Sequence, residues 1–315
     1  MKKITSFWLI FLIITLCGCE NKEKSETRFM LDTVVTLNAD CNNEVMNGAF
    51  SICQNYDDLL SRTNKSSDVY KLNNSQGFIE INESTLKIIE RSLYFSDISN
   101  GKFDITVCSV SDLWDFKNQV IPPKKEISEA LKNVDYESIE IKDDSVNLHG
   151  KKIDLGGIAK GYIADQIKEY FTENGVGSGI INLGGNIVVF GKEYSVGIQR
   201  PFSSGIAAIL KVQNKSVVTS GIYQRFIESD GEIYHHILDT STGYSVQNEL
   251  ASVTVIGENS LDCDALSTVC MLLGTGKGME IIESIPKTEA VFIDRKENLT
   301  LSSGLYKRKN YIYLK

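Results

Sequence analysis

From Lys151 onward, short apolar runs are broken repeatedly by glycine: KKIDLGG, GIINLGGNIVVFG, YSVGI, IAAILKV, SVVTSG, EIYHHILD and ASVTVIG. Each has strand length, is rich in β-branched residues, and ends on residues that suit tight turns. Only two helical stretches interrupt them, residues 158–171 and 261–273. Strands that mostly follow strands, with helices grouped, point to an α+β fold with mixed, mostly antiparallel sheets and packed helices, not to a doubly wound parallel sheet. The closing stretch, EAVFIDRKENLTLSSGLYKRKNYIYL, reads as hairpin strands.

The first half is richer in helix. Residues 29–37 (FMLDTVVTL) read as one strand. Val45, Ala49, Ile52, Cys53, Tyr56, Leu59 and Leu60 recur at helical spacing, and Leu86, Ile89 and Leu93 repeat the pattern over residues 85–97 behind an N-cap at Ser84. The chain has 4 prolines and no low-complexity stretch, so a single domain is expected over residues 28–315.

Lys2 and Lys3 precede an apolar run over residues 7–16, too short for a spanning helix, which needs about 20 residues. The proportions are those of a secretory leader. Leu16-Cys17-Gly18-Cys19 follows at once and resembles a bacterial lipobox. Residues 1–18 are therefore expected to be removed and Cys19 to carry lipid on the extracytoplasmic face of a bacterial cell membrane. Residues 19–27 would form a polar tether. An ordinary signal peptide with an incidental Cys19 is the alternative.

Removing residues 1–18 from the 315 leaves 297, enough to bury a large core. The formal net charge of −8 becomes −10 without Lys2 and Lys3, and an acidic chain lacking basic runs argues against a nucleic-acid partner. Five cysteines lie beyond Cys19, an odd number without C-x-x-C spacing. They read as buried free thiols rather than a disulfide framework. With only His149, His235 and His236 available, any metal should be a hard ion on oxygen ligands.

Three segments could carry chemistry. Asp154-Leu155-Gly156-Gly157-Ile158-Ala159-Lys160-Gly161 runs from a strand end through two glycines into a helix start, a place that favours anions, with Lys160 adding a cation. It matches neither a P-loop nor a dinucleotide-binding turn, and a plain strand-to-helix turn fits equally. Asp264, Ser267 and Thr268 share one helix face at i, i+3 and i+4, a set of oxygens that suits Mg²⁺; a solvated polar face reads the same way. In Tyr234-His235-His236-Ile237-Leu238-Asp239 a strand brings histidine to a carboxylate-bearing turn, a general-base candidate or a simple strand end.

Taken in order, these segments resemble the ApbE family, the FAD:protein FMN transferases and their FAD-hydrolysing relatives. The likeness is carried by Leu31-Asp32-Thr33, Leu60-Ser61-Arg62 with Asn73, Phe103 to Val107 with Leu113 to Phe116, Asp154 to Gly161, Asn182 to Gly185, Thr219 to Tyr223, His236 to Gly243, and Asp264 to Thr268. It implies a T-fold-like core. It also implies FAD contacts from Leu31, Thr63, Lys102, Phe103, Asp104, Asp154, Lys160 and Ile237, and Mg²⁺ held by Gly157, Asp264 and Thr268 with a weaker part for Ser267. His236 would sit at the reacting phosphoryl group. Leu31 stands where the family commonly has methionine, Thr240 where it has proline, and Thr63 where transferases often place an aromatic over the flavin. The implied reaction moves FMN from FAD to a Thr or Ser hydroxyl of an extracytoplasmic acceptor protein, releasing AMP. FAD hydrolysis to FMN and AMP, or FAD binding without turnover, are the alternatives.

Overall fold

The computed structural model describes residues 23–229, 231–307 and 312–314. The expected leader, Cys19 and the first residues of the expected tether lie outside them.

Residues 29–37 are not one strand. β1 (Lys24–Met30) and β2 (Thr33–Ala39) form an antiparallel hairpin. Its turn is Leu31-Asp32, at φ 54° and 53°, the geometry that matches strand twist. Residues 24–27, expected in the tether, therefore belong to β1. A strand at a sheet edge needs one ladder and tolerates charge, so a polar sequence can occupy it.

Helices follow: α1 (Asn43–Leu60), α2 (Asp68–Asn73), then, after β3 (Ile79–Glu80), α3 (Glu83–Ile98), α4 (Cys108–Ser111) and α5 (Lys124–Ala130). The cap of α3 is Asn82, whose Oδ1 accepts from the Ser84 amide at 2.9 Å; Ser84 is already inside the helix. β5 (Ser145–Asn147) pairs with β3 on one side and with β4 (Glu140–Lys142) on the other, all antiparallel. Residues 151–155 form no strand and join no sheet, contrary to the strand expected there. Asn73 clamps Ile153 with two hydrogen bonds of 2.9 and 2.7 Å, and the Asp154 amide donates to the Ile105 carbonyl at 2.9 Å.

The second half opens on α6 (Ala159–Glu173), followed by β6 (Gly179–Leu183), β7 (Asn186–Phe190), β8 (Tyr194–Gln199), β9 (Ile206–Val212), β10 (Lys215–Gly221), β11 (Phe226–Ser229), β12 (Glu232–His235) and β13 (Leu250–Gly257). α7 (Ser260–Ser284), β14 (Glu289–Asp294), β15 (Leu299–Leu301), α8 (Ser303–Lys307) and β16 (Ile312–Leu314) complete it, so the closing stretch holds a helix between its strands. The expected helix over 261–273 ends where α7 kinks, at Gly274 with φ 75°.

The main sheet has eight strands in the order β1-β2-β6-β7-β10-β13-β14-β15, all pairs antiparallel, and it is open at both edges. The α+β expectation holds. Alternation divides the sheet into two faces. Val35, Leu37, Ile181, Val188, Val253 and Phe292 meet helices α1, α3, α6 and α7 on one side. Val189, Val217, Ile256 and Ile293 meet β8 and β9 on the other. Central β13 is buried along its whole length, as a strand covered on both faces must be. Cys53, Cys108, Cys263 and Cys270 are buried and Cys41 half-buried, all as free thiols.

Candidate active site

The starts of α6 and α7 meet at Gly161. A Cβ there would lie 2.3 Å from the Ser260 carbonyl oxygen and 2.7 Å from the Leu261 Cα, so only glycine permits this approach. The contact lets the Gly161 amide donate to Asp264 Oδ2 at 2.9 Å. One turn on, Ser267 Oγ donates to the Asp264 carbonyl at 2.8 Å and lies 2.7 Å from Ser220 Oγ, which is 3.2 Å from Thr268 Oγ1. Ser220 comes from the end of β10, and the structure brings it to the metal candidates although the sequence assigned it no role. The Ala159 amide is taken by the Leu155 carbonyl at 2.9 Å and the Gly161 amide by Asp264, which leaves fewer first-turn donors for a phosphate than the sequence suggested.

The Phe103 segment lies beside this junction. Phe103 is buried, with its ring against Gly157, where an added Cβ would sit 3.4 Å from Phe103 Cε2. Lys102 Nζ bonds both Asp239 oxygens at 2.9 and 3.1 Å, and Thr240 Oγ1 donates to the Gly101 carbonyl at 2.8 Å. These contacts tie the 101–106 segment to the turn after His236, beside a cleft of about 320 Å³ that Lys102, Asp104, Tyr136 and Thr240 help to line. Asp104 is buried and accepts from the Thr106 amide and hydroxyl at 2.7 and 2.6 Å and from the Tyr136 amide at 3.2 Å. Burial raises its pKa despite those donors. Its carboxylate is thus occupied in shaping the segment. Asp154 Oδ1 accepts from the Gly156 amide at 2.8 Å, Lys160 Nζ donates to the Gly156 carbonyl at 3.2 Å, and Arg62 reaches Asp154 at 3.5 Å. Arg62 also bonds Asp112 at 2.5 Å and the Cys108 sulfur at 3.0 Å, a tie that the Leu-Ser-Arg match left without a role.

The two histidines part as strand alternation requires. His235 is fully buried; its Nε2 lies 3.2 Å from the Val246 carbonyl and its Nδ1 accepts from the Ile237 amide at 3.4 Å. Burial pushes its pKa down to about 4. His236 follows the last residue of β12 and is half-buried. Its amide donates to the Arg225 carbonyl at 3.2 Å, and its Nδ1 is 3.3 Å from the same oxygen. A carbonyl only accepts, so Nδ1 carries the proton and Nε2 keeps a lone pair. Burial first, then the charges of Arg225 and Lys160, pushes this pKa to about 4 as well.

The remaining candidates are more scattered. Ile237 is buried in the core beneath this turn. Leu31 packs on the core under α1, and Thr63 is exposed on the loop beside Arg62, its amide 3.2 Å from Ser61 Oγ. The β6–β7 turn joins Leu31's hairpin, since a Cβ at Gly184 (φ +64) would strike Thr33 Oγ1 at 2.1 Å.

The donor set for a metal is lean. Among the described residues no group of three or more His, Cys, Asp or Glu could hold one. Asp264 is 5% exposed and no ion pair to a basic side chain is found for it among the described residues. A buried carboxylate without a countercharge is costly. A hard divalent cation beside it, with the Thr268 hydroxyl and the Gly157 carbonyl as neutral oxygens, fits that need. Ser267, buried and already committed to two hydrogen bonds, is a poorer ligand.

The family model described as "ApbE family" matches residues 31–292. The chain is 30% identical to a FAD:protein FMN transferase of Klebsiella pneumoniae (strain 342), over 90% of this chain and 93% of that one. It is 29% identical to a FAD:protein FMN transferase of Treponema pallidum (strain Nichols), over 98% and 97%. The crystal structure of the ApbE protein of Thermotoga maritima superposes with a TM-score of 0.83 at 27% identity, covering 91% of this chain and 99% of that one. The flavin transferase ApbE of Vibrio cholerae gives 0.82 at 21%, with the same coverage, and supports the fold. The chain belongs to the ApbE family.

Proposed function

We propose that this protein is a Mg²⁺-dependent FAD:protein FMN transferase, acting on a Thr or Ser hydroxyl of an acceptor protein outside the cytoplasm from a lipid anchor at Cys19. The observation that carries the reading is Asp264. It is a buried carboxylate lacking a basic partner among the described residues, held by the Gly161 amide beside the hydroxyls of Ser220 and Thr268. A protein that only stored FAD would have no use for such a group at the pyrophosphate. Bound Mg²⁺ would neutralise charge on the phosphates.

The chain's own residues supply the rest. Lys160, Asp154 and the Phe103 segment would position FAD. His236, neutral near pH 7 with its lone pair on Nε2, would take the proton of the acceptor hydroxyl. That oxygen forms a bond to the FMN-side phosphorus while the pyrophosphate bond to AMP breaks. Such transfers rely on positioning and charge stabilisation more than on covalent help. The test incubates the protein with FAD, Mg²⁺ and the protein substrate of the Klebsiella relative, reading AMP and an FMN-sized mass increase. Both are expected. AMP without the mass increase would leave hydrolysis, and neither would remove the enzyme reading.

A further inference from the structure

The start of α7 is held by α6 and not by its own capping residue. Asparagine is among the best helix caps, yet Asn259 makes no side-chain capping bond. Instead Asp165 of α6 accepts from the Ser260 amide on Oδ1 and from the Leu261 amide on Oδ2, both at 2.9 Å. Asp165 lies one turn after Gly161, whose amide holds the Asp264 carboxylate at 2.9 Å. α6 therefore grips α7 at two levels: Asp165 fixes its first residues, and Gly161 fixes the carboxylate one turn later. Ser260 is held from two further sides. Its carbonyl faces Gly161, and its hydroxyl donates to Asn186 Oδ1 of β7 at 2.5 Å. A cap within the chain would satisfy the same amides, but only a cap from α6 also fixes the spacing and rotation of the two helices. The arrangement has a cost, since burial raises the Asp165 pKa to about 6 although both amide bonds and Lys168 favour its charged form.

We propose that Asp165 is the positioning residue of the metal site: by fixing the start of α7 it sets where the Asp264 carboxylate and the Thr268 hydroxyl point. The inference rests on the Mg²⁺ reading above. Asp264 lies on the turn after Ser260 and Thr268 on the next, so a helix start that slides or rotates carries both oxygens with it.

The test reads Mn²⁺ binding to the FAD-loaded protein, followed through loss of the free-ion EPR signal, which a loss of stability alone would not move. Asp165→Asn keeps the shape and one acceptor oxygen, and Asp165→Glu keeps the charge but shifts it by one methylene. Asp68→Asn is the control. Asp68 is a buried carboxylate that ties down the start of α3 in the same manner, accepting from the Asn82 amide and the Thr85 hydroxyl at 2.8 Å each. Neither of these partners belongs to the candidate site. All three variants should melt below the native protein. The Mn²⁺ Kd should rise about tenfold to a hundredfold in both Asp165 variants, the scale of losing a partner behind a metal ligand, and stay native in Asp68→Asn. FAD affinity in EDTA should stay native in all three. A native Mn²⁺ Kd in Asp165→Asn overturns the proposal, and if that variant does not fold, Asp165→Glu decides in its place. An equal rise in Asp68→Asn also overturns it, by assigning the effect to stability at large. If the native FAD-loaded protein binds no Mn²⁺, the metal reading fails first.

Discussion

Asp264 has two duties that substitution can separate. It answers the Gly161 amide, and it is the one carboxylate of the proposed metal site. Asp264→Asn keeps an oxygen for the amide but removes the charge. Thermal stability should stay near native while Mg²⁺-dependent turnover falls at least a hundredfold, the scale of several kcal/mol lost at a phosphate-bound metal. Asp264→Ala should add a destabilisation of about 1–3 kcal/mol for the orphaned amide. Near-native turnover of the Asn variant at limiting Mg²⁺ would refute the assignment. The histidines divide in the same manner. His236→Ala should lose roughly 10²–10⁴ in transfer with little change in FAD affinity, as for a general base. From strand alternation alone, His235→Ala would be nearly silent. The structure corrects that, because His235 is wholly buried with both ring nitrogens hydrogen-bonded. Its pKa falls from 6.5 to about 4 on folding, so between those values the unfolded chain binds the extra proton. Stability from this group is therefore present above pH 6.5 and lost as pH falls toward 4. Asp165, raised to about 6 by burial, acts in the opposite sense over the same range. The measurement is thus the difference in melting temperature between native protein and His235→Asn at pH 7 and pH 4.5. The gap should be smaller at pH 4.5; an equal gap would show that His235 does not titrate on unfolding.

Elements carry the site through close backbone approaches, and these were the least legible part of the sequence. The helical stripe predicted α1 within two residues, whereas the helix expected over 261–273 covers α7 only as far as its kink at Gly274, and residues 274–284 were missed. The glycine-broken runs predicted β6 to β10 and β13. Polar β1 was missed because an edge strand carries no apolar alternation. Residues 151–155 were misread because Asn73, far away in sequence, supplies the bonds that a ladder would. Spacing put Asp264 and Thr268 on one helix face and His236 at a strand end, but left a plain structural reading equally open; their roles came from the family resemblance. Ser220 and Arg62 were not legible, because a serine or arginine declares its partners only once the chain has folded. Gly161 marks where element packing and chemistry coincide. Gly161→Ala would drive a methyl into the Ser260 carbonyl, whose backbone cannot yield cheaply. Such overpacking costs about 1–3 kcal/mol or more and would also displace the amide that holds Asp264. Calorimetry should show a lower melting temperature, and turnover should fall even where the protein remains folded. Normal values for both would mean that the two helices can separate without consequence.

At the scale of the whole molecule, the candidate site belongs to no single layer. Asp264 and Thr268 ride on α7 against the central strands, Gly157 and Lys160 lie at the start of α6, and Ser220 ends β10. Lys102 and Asp239 join the segment after α3 to the turn after β12. FAD with Mg²⁺ would therefore bridge the core that contains α3 and α7, to which Ile158 and Tyr162 at the start of α6 belong, and the smaller cluster of Trp114, Ile127 and Leu238 beside Asp239. A ligand that binds only the folded state stabilises it by RT ln(1 + [L]/Kd), about 2.7 kcal/mol at a hundredfold excess over Kd. For a chain of this size that corresponds to a rise of roughly 5 °C in melting temperature. Because both cores contribute, the rise should appear in one cooperative transition and not in a fraction of it. FAD with Mg²⁺ should raise the melting temperature more than FAD with EDTA, and Asp264→Asn should erase that difference while keeping the part due to FAD alone. A ligand shift confined to one of two resolved transitions would place the site within a single core, and an Mg²⁺ increment surviving in Asp264→Asn would move the metal elsewhere.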